Sequence, residues 1–286
     1  FGVKMKNGIV IVNYNDYKTT KRLIDNIRDY KVFDKIVIVD NKSSDNSLKE
    51  LKKLENKRIV VIDSGENKGY SYALNVGCKY LIDKYKECKI IVSNSDIIIQ
   101  SENDIKDLFE LVKGKNVIVG PTIIEGNNLN RGWILPKPMD DVAMNILGLY
   151  KKYQKRHLMY QDSYYNKDIS KVGTVSGCFF AISSKHLEEM GYFDTNVFLY
   201  YEENIMGVKT RDLGKNIIVA NNIDVIHDHA VSIDKSLKRI KKYDILKNSQ
   251  YYFEKTYNHA SKGELFLLRL TNKITRVILL IKYMID

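Results

Sequence analysis

The sequence predicts an α/β fold, an open and mostly parallel sheet flanked by helices, followed by a C-terminal helical extension. Three observations carry that prediction. Ile- and Val-rich runs alternate with helical patterns through the first 120 residues, polar residues gather where the runs end, and the segment from Lys235 onward keeps only helical periodicity. Strand–helix alternation joins parallel strands by helical crossovers, which cover the sheet on both faces.

In chain order, Gly8–Tyr14, Lys35–Asp40, Arg58–Asp63, Lys89–Asn94 and Asn116–Val119 read as buried strands. Helical patterns lie between them at about Tyr17–Tyr30, Asn46–Leu54, Tyr70–Tyr85 and Ser101–Val112. From Gly120 to Lys171 the periodicity weakens. Pro121, Pro136 and Pro138 cluster there with Gly126, Gly132 and Trp133, which predicts loops and short helices. Order returns with a strand over Val172–Ser183, a helix near Lys185–Met190 and a second helix from Glu202 to Leu213. Short strands follow at Asn216–Ala220 and Asp224–His227, and the tail divides into two helices near His259–Gly263. The chain therefore divides into residues 1–120, residues 121–234 of the same domain, and the extension 235–286.

A chain of 286 residues can bury a substantial core, and 44% hydrophobic with 28% charged residues excludes general disorder. The formal charge of +11 favours anionic partners. No nucleic-acid motif accompanies that charge and the aromatics are spread along the chain, so nucleic acid is not expected as a partner. Cys78, Cys88 and Cys178 are odd in number and form no CxxC pair, which points away from a disulfide framework and towards a reducing cytoplasm. The N-terminal residues Phe1–Lys6 show no signal-peptide pattern. The most apolar stretch, Leu265–Ile285, is broken by Arg269, Lys273, Arg276 and Lys282, so it is not expected to span a bilayer.

Candidate chemistry sits at the strand ends, where open α/β sheets bind ligands. Asn13 and Asn15 follow the first strand, and Asp40 opens the run Asp40–Asp45 after the second. A carboxylate at a strand end can accept from a nucleobase N–H or a ribose hydroxyl, whereas Asp45 and Asn46 suit an ordinary helix cap. In Glu66–Asn75, Asn67 and Gly69 precede a helix whose first amides can receive phosphate or sugar oxygens. That loop lacks both GxGxxG and GxxxxGK[ST], against a dehydrogenase and an NTPase. Asn94, Ser95 and Asp96 follow the fourth strand. A divalent ion held by a carboxylate such as Asp96 would neutralise a diphosphate, while an Asx turn explains an isolated Asn-Ser-Asp equally well. Glu202 and Glu203 offer a general base for a sugar hydroxyl, or simply complement a helix N-terminus. Two of the five histidines, His227 and His229, fall within three residues of each other, and His227 after a strand could complete a metal shell.

The order of these segments resembles family-2 glycosyltransferases of the GT-A fold, which is Rossmann-like, and within them the bacterial rhamnosyltransferase-like branch. The resemblance rests on IVIVNYN (9–15), VDNKSSDNS (39–47), ENKGYSYALNVG (66–77), NSD (94–96), VSGCFFAISS (175–184), GYFDTNVFLYYEEN (191–204) and VIHDHAVS (225–232). It implies that Asn13, Asp40 and Asn67 surround the donor's base and ribose, with Asn15, Gly69, Asn94 and Ser95 also on the donor side. It implies Asp96 as the metal-binding aspartate, with Asn94 in place of the motif's first Asp, and His227 as a metal or diphosphate contact. Glu203 stands where the family usually has Asp, and Glu202 is the alternative base. Trp133 and Gly177 fall on the acceptor side, where a missing side chain at Gly177 would leave room for sugar.

The resemblance thus implies an inverting, metal-dependent hexosyltransferase using a divalent cation, Mn or Mg. Its donor would be a nucleotide diphosphate sugar, dTDP-rhamnose or a UDP-hexose, and its acceptor a glycan or lipid-linked precursor. Residues 1–120 would then bind the nucleotide sugar and 121–234 the acceptor. The basic, apolar stretch 262–286 reads either as a helix packed on the domain or as a surface that docks on an anionic inner leaflet. Two rival classes remain in view. A sugar-nucleotide nucleotidyltransferase would need a Gly-rich basic N-terminal loop, which Ile9–Asn15 lacks, and a non-catalytic binding module would not need the carboxylates that are present.

Overall fold

The computed structural model describes residues 5–146, 150–228 and 239–285. His229 to Ser232, the end of the last matched segment, lie outside the described residues. Ten strands form one sheet: β1 (Lys6–Asn13), β2 (Lys35–Asp40), β3 (Ile59–Asp63), β4 (Cys88–Asn94), β5 (Ile97–Ile99), β6 (Asn116–Glu125), β7 (Asn128–Asn130), β8 (Ile169–Val172), β9 (Phe179–Ser183) and β10 (Asn216–His227). The helices are α1 (Tyr17–Ile27), α2 (Ser47–Lys52), α3 (Tyr70–Tyr85), α4 (Glu102–Leu111), α5 (Pro138–Met144), α6 (Tyr150–His157), α7 (Ser184–Glu189), α8 (Glu202–Asp212), α9 (Arg239–Thr256) and α10 (Lys262–Ile285).

The sheet runs β3-β2-β1-β4-β9-β6-β10-β5, with β7 beside β6 and β8 beside β10. The first half is parallel, as its crossover helices require: β1 pairs in parallel with β2 and β4, and β2 with β3. In the second half β6 and β10 also pair in parallel, with antiparallel strands set around them. β9 lies antiparallel between β4 and β6, while β5 and β8 lie antiparallel to β10. As a result the carboxyl ends of β1, β2, β4, β6 and β10 share one edge with the amino ends of β5 and β9.

Side chains alternate between two cores, as the pleat demands. Ile9, Ile11, Ile36, Ile38, Ile91 and Phe179 face α1 and α4. Val10, Val37, Val39, Val92 and Phe180 face the other way, against α3, α7 and α8. The second core needs Gly77, where a Cβ would come within 2.5 Å of Val10 and 2.9 Å of Val39 side-chain carbons, so α3 lies close on the sheet.

Three sequence expectations change. Val172–Ser183 is not one strand: β8 and β9 are parted at 173–178, because Thr174 leaves the sheet to pair with the Trp133 backbone. Asn216–Ala220 and Asp224–His227 are one strand with a register break between Ala220 and Asp224. The fifth strand runs on past Val119 to Glu125, since Pro121 pairs with Ala220 and, past the register break, Thr122 to Ile124 pair with Asp224 to Ile226. The extension docks through α9, where Phe253 is fully buried against Val197, Ile205 and Val208. α10 then packs on α9 and α5, with Arg276 bidentate to Asp244 and the Thr275 hydroxyl donating to the Asn145 carbonyl at 2.6 Å.

Candidate active site

The shared edge collects the residues singled out from the sequence. Asn13 at the end of β1 is register partner of Asp40 at the end of β2, and Val12 pairs with Asn94 at the end of β4. Asn13 and Asp40 are both fully buried. Asn13 Nδ2 donates to Asp40 Oδ2 at 2.8 Å, and the Ser43 amide and hydroxyl donate to Asp40 at 2.9 and 2.7 Å. The carboxylate thus ties the 40–44 loop across the strand ends. Asn15, in the left-handed region at φ 53°, extends this clasp: its amide donates to Ser43 Oγ and its side-chain oxygen accepts from the Ser44 amide. Asn41 Nδ2 donates to Asn67 Oδ1 at 3.1 Å and carries the network into the loop before α3.

At Gly69 the close approach differs from the sequence expectation. A Cβ there would stand 2.1 Å from the Phe198 carbonyl oxygen, and the Tyr70 amide donates to that oxygen at 3.1 Å. The first turn of α3 receives the protein's own 192–201 loop, so this glycine docks the segment that carries the acidic pair.

Asp96 and His227 meet directly. His227 pairs in register with Ile97, and the Asp228 amide donates to the Asp96 carbonyl at 3.0 Å. His227 Nε2 is 3.2 Å from Asp96 Oδ1, yet off the line of a hydrogen bond, so Oδ1 is a buried acceptor with no hydrogen-bond partner. On the other side of the ring, Nδ1 lies 3.0 Å from Glu125 Oε1. Burial alone would lower the His227 pKa, but the neighbouring Asp96, Cys178 and Glu125 side chains outweigh it and push the pKa up to about 12. Ligand atoms of Glu125, Cys178 and His227 lie within 4.8 Å of one another, a group able to hold a metal ion. An unpartnered carboxylate oxygen beside an imidazole fits a divalent cation, with Glu125 orienting the ring from behind. Sequence reasoning passed over Glu125 and Cys178. Glu125 had a usable signal, an acidic residue at a strand's carboxyl end, hidden because the strand seemed to stop at Val119.

Cys178 joins this group to the acidic pair. The Asn94 amide donates to the Cys178 carbonyl at 2.8 Å, and Tyr70 Oη donates to the Gly177 carbonyl at 3.0 Å. The Gly177 amide donates to Glu203 Oε1 at 3.2 Å. A Cβ on Gly177 would stand 2.8 Å from that oxygen, so the missing side chain makes room for the Glu203 carboxylate, where sequence reasoning expected room for sugar. Burial raises the Glu203 pKa, and burial together with the Glu203 charge raises that of Glu202 further, with Glu202 Oε2 buried and unpartnered. Both lie at the start of α8, reached through Tyr200 and Tyr201 with φ of 70° and 68°.

Glu203, and not Glu202, borders a cavity of about 200 Å³ lined also by Trp133, Tyr150, Tyr200, Lys247 and Gln250. Trp133 Nε1 donates to Asn204 Oδ1 at 2.8 Å, which fixes the indole beside it. The carboxylate stands between that cavity and the Gly177–Cys178 backbone, with Asp96 and His227 beyond Cys178. Such an arrangement can deprotonate a group entering from the cavity and receive negative charge on the far side.

An open α/β sheet with this acid–imidazole edge is that of a GT-A glycosyltransferase. The sequence profile of glycosyl transferase family 2 matches residues 8–191. The chain belongs to that family. It is 31% identical over 227 residues to the low-salt glycan biosynthesis hexosyltransferase Agl10 of Haloferax volcanii, a match covering 78% of this chain and 67% of Agl10. It is 26% identical over 232 residues to the dTDP-rhamnosyl transferase RfbF of Shigella flexneri, covering 80% of this chain and 70% of RfbF. Among solved structures, GalNAc-T7 with UDP, GalNAc and Mn2+ superposes with a TM-score of 0.65 at 18% identity, over 91% of this chain but only 51% of GalNAc-T7. The mannosyltransferase PcManGT of Pyrobaculum calidifontis, with GDP-Man and Mn2+, gives a TM-score of 0.59 at 14% identity over 96% and 72% of the two chains. At these identities the structural matches establish the fold alone.

Proposed function

We propose that this glycosyltransferase moves a sugar from a nucleotide diphosphate donor to a hydroxyl of a glycan or lipid-linked oligosaccharide precursor, with inversion. One observation carries the reading: Glu203 and the Asp96–His227 pair flank the same Gly177–Cys178 backbone, with a cavity on the glutamate side. In that geometry Glu203 takes the proton of an acceptor hydroxyl in the cavity as its oxygen bonds to the anomeric carbon. The bond from that carbon to the diphosphate breaks on the opposite side, towards Asp96 and His227. Glu202, its oxygen buried and its pKa raised higher, serves as the neutral neighbour, which leaves the negative charge of the pair on Glu203. A divalent cation, Mn or Mg, would be held by Asp96 and His227 and would neutralise the diphosphate. Its use is supported by the Mn2+ in the GalNAc-T7 and PcManGT complexes.

For the donor, residues 1–120 supply the Asn13–Asp40–Asn15 clasp and the Asn67 loop, with Asn94 and Ser95 beside Asp96. RfbF's dTDP-rhamnosyl activity and the UDP and UDP-GlcNAc complexes of relatives of this fold support dTDP-rhamnose or a UDP-hexose. Residues 121–234 supply the base and the Trp133 side of the acceptor cavity, and 235–286 the extension. A thermal-shift panel of UDP, dTDP and GDP with and without Mn2+ tests the donor half. A base-selective stabilisation that needs the cation is expected, and the same shift with and without Mn2+ refutes the metal assignment. Glu203→Gln is expected to abolish transfer while leaving that shift intact, and full activity in it moves the base elsewhere.

No helix among the described residues is long and apolar enough to cross a membrane. α10 nevertheless presents Phe266, Leu270, Ile274, Val277, Ile278 and Ile281 to solvent, all more than 40% exposed. At 100° per residue these fall within one arc of about 120°, flanked by Lys273 and Lys282. An arc of that kind suits the surface of an anionic leaflet and supports a peripheral position on the cytoplasmic face, close to a lipid-linked acceptor. Co-sedimentation with phosphatidylglycerol vesicles should disappear in Phe266→Ser/Ile274→Ser/Val277→Ser, and undiminished binding would refute the contact.

A further inference from the structure

The turn that delivers the acidic pair is held in a costly backbone conformation. Tyr200 and Tyr201 are consecutive aromatic residues in the left-handed region, which side chains of this kind rarely adopt unless the surroundings fix them. The surroundings that fix them come from α5 and the C-terminal extension. Tyr201 Oη donates to Asp141 of α5, 2.8 Å from both carboxylate oxygens, and accepts from Gln250 Nε2 of α9 at 2.9 Å. The Ser249 hydroxyl of α9 donates to the Leu199 carbonyl at 2.8 Å, one residue before the turn. The Tyr201 ring lies 5.4 Å from Phe253. Asp141, Gln250 and Glu254 are all buried, which strengthens the hydrogen bonds of this network.

Glu254 completes it. Its carboxyl lies beside that of Asp141, and Asn258 Nδ2 donates to both its oxygens at 3.0 and 3.1 Å. Two buried carboxyls in contact share one proton. Burial raises both pKa values, and the Asp141 charge pushes that of Glu254 up further, to about 10. Lys247 also reaches Asn145 and Gln250, which fixes the same corner of α9 against α5.

We infer that α9 is a brace for the catalytic turn, in which Tyr201, Asp141 and Glu254 are positioning residues that fix Glu203 against the Gly177 amide. Both the turn and the brace lie beyond residue 191, where the family profile match ends. The inference rests on Glu203 as the base. It makes the extension part of the machinery of turnover, beyond its role in packing.

The test measures kcat, the acceptor KM, donor affinity and melting temperature on the full chain. Tyr201→Phe keeps the ring against Phe253 and removes only the hydroxyl. It should lower kcat on the order of 10- to 100-fold, the effect of a slightly misplaced base, with acceptor KM and donor affinity unchanged. Asp141→Asn should do the same, and the double variant should be no slower than either alone. Glu254→Gln retains a neutral N–H donor to Asp141 and should keep kcat within about twofold, whereas Glu254→Ala should fall with Tyr201→Phe. A Tyr201→Phe enzyme with wild-type kcat and only a lower melting temperature overturns the brace, as does a rise confined to acceptor KM. Additive losses in the double variant overturn it too. Glu203→Gln separates the two readings: if it is inactive while Tyr201→Phe is wild type, only the brace fails, and if it is fully active the base assignment fails first.

Discussion

Gly177→Ala tests the geometry of the site more sharply than removal of the base. The glycine is not at a positive φ, so the backbone accepts alanine, and the added methyl meets one group. Its Cβ would stand 2.8 Å from Glu203 Oε1 and 3.2 Å from Cγ and Cδ, whereas ordinary contact begins near 3.4 Å. Glu203 must therefore recede by about 0.6 Å, the difference between those contacts, which breaks a bond from the Gly177 amide that is already 3.2 Å long. Overpacking of this order costs about 1–3 kcal/mol. Displacement of a general base by a comparable distance lowers kcat by roughly 10- to 100-fold. Steady-state assay of nucleotide release should show that loss, with calorimetric affinity for the nucleotide in Mn2+ unchanged because Asp96 and His227 are untouched. Shortening the neighbour relieves the clash, so Gly177→Ala combined with Glu203→Asp should recover part of the lost kcat. Wild-type turnover in Gly177→Ala, or an equal loss of nucleotide affinity, would show that Glu203 does not work from this position.

Two further outcomes follow from side chains behind the site. Glu125→Gln removes the carboxylate that orients His227, and apparent Mn2+ affinity in a nucleotide thermal-shift titration should weaken on the order of 10- to 100-fold; an unchanged affinity would separate Glu125 from the metal group. His186 is 1% exposed, with Nε2 2.9 Å from Thr210 Oγ1, and burial lowers its pKa from 6.5 to about 4. The folded state thus binds this proton less readily than the unfolded chain. Its contribution is present above pH 6.5 and is lost as pH falls towards 4, by up to about 3 kcal/mol. Urea unfolding between pH 7 and pH 4 should show that loss flattened in His186→Gln, and parallel curves would assign the acid sensitivity to other groups.

The first half of the molecule was legible because its signals are local. A buried parallel strand reads as an Ile/Val run, and the helix Tyr70–Tyr85 appears with the ends its sequence indicates. The placement of Asp96 beside His227 was also anticipated, although 131 residues part them, because both follow strands that end at one edge. What escaped was set by tertiary contact. Nothing in the sequence around Gly69 or Gly177 says whether the vacated space belongs to a ligand or to Phe198 and Glu203. Nor could periodicity show that Val172–Ser183 breaks in the middle, since the break answers to Trp133, some forty residues earlier. Asp141 and Glu254 belong to no sequence motif, and their burial emerges only in the folded chain.

The reversed direction of β9 has a practical consequence for altering this enzyme. A chain entering the sheet from the opposite side presents its beginning, Gly177–Cys178, where its neighbours present their ends. Extra residues spliced in after Ser183 would emerge at the far rim, remote from the chemistry. The same insert a few positions ahead of Phe179 would push directly on the Glu203 contact, so efforts to retune substrate choice belong in the 173–178 segment and grafts or tags belong beyond the strand.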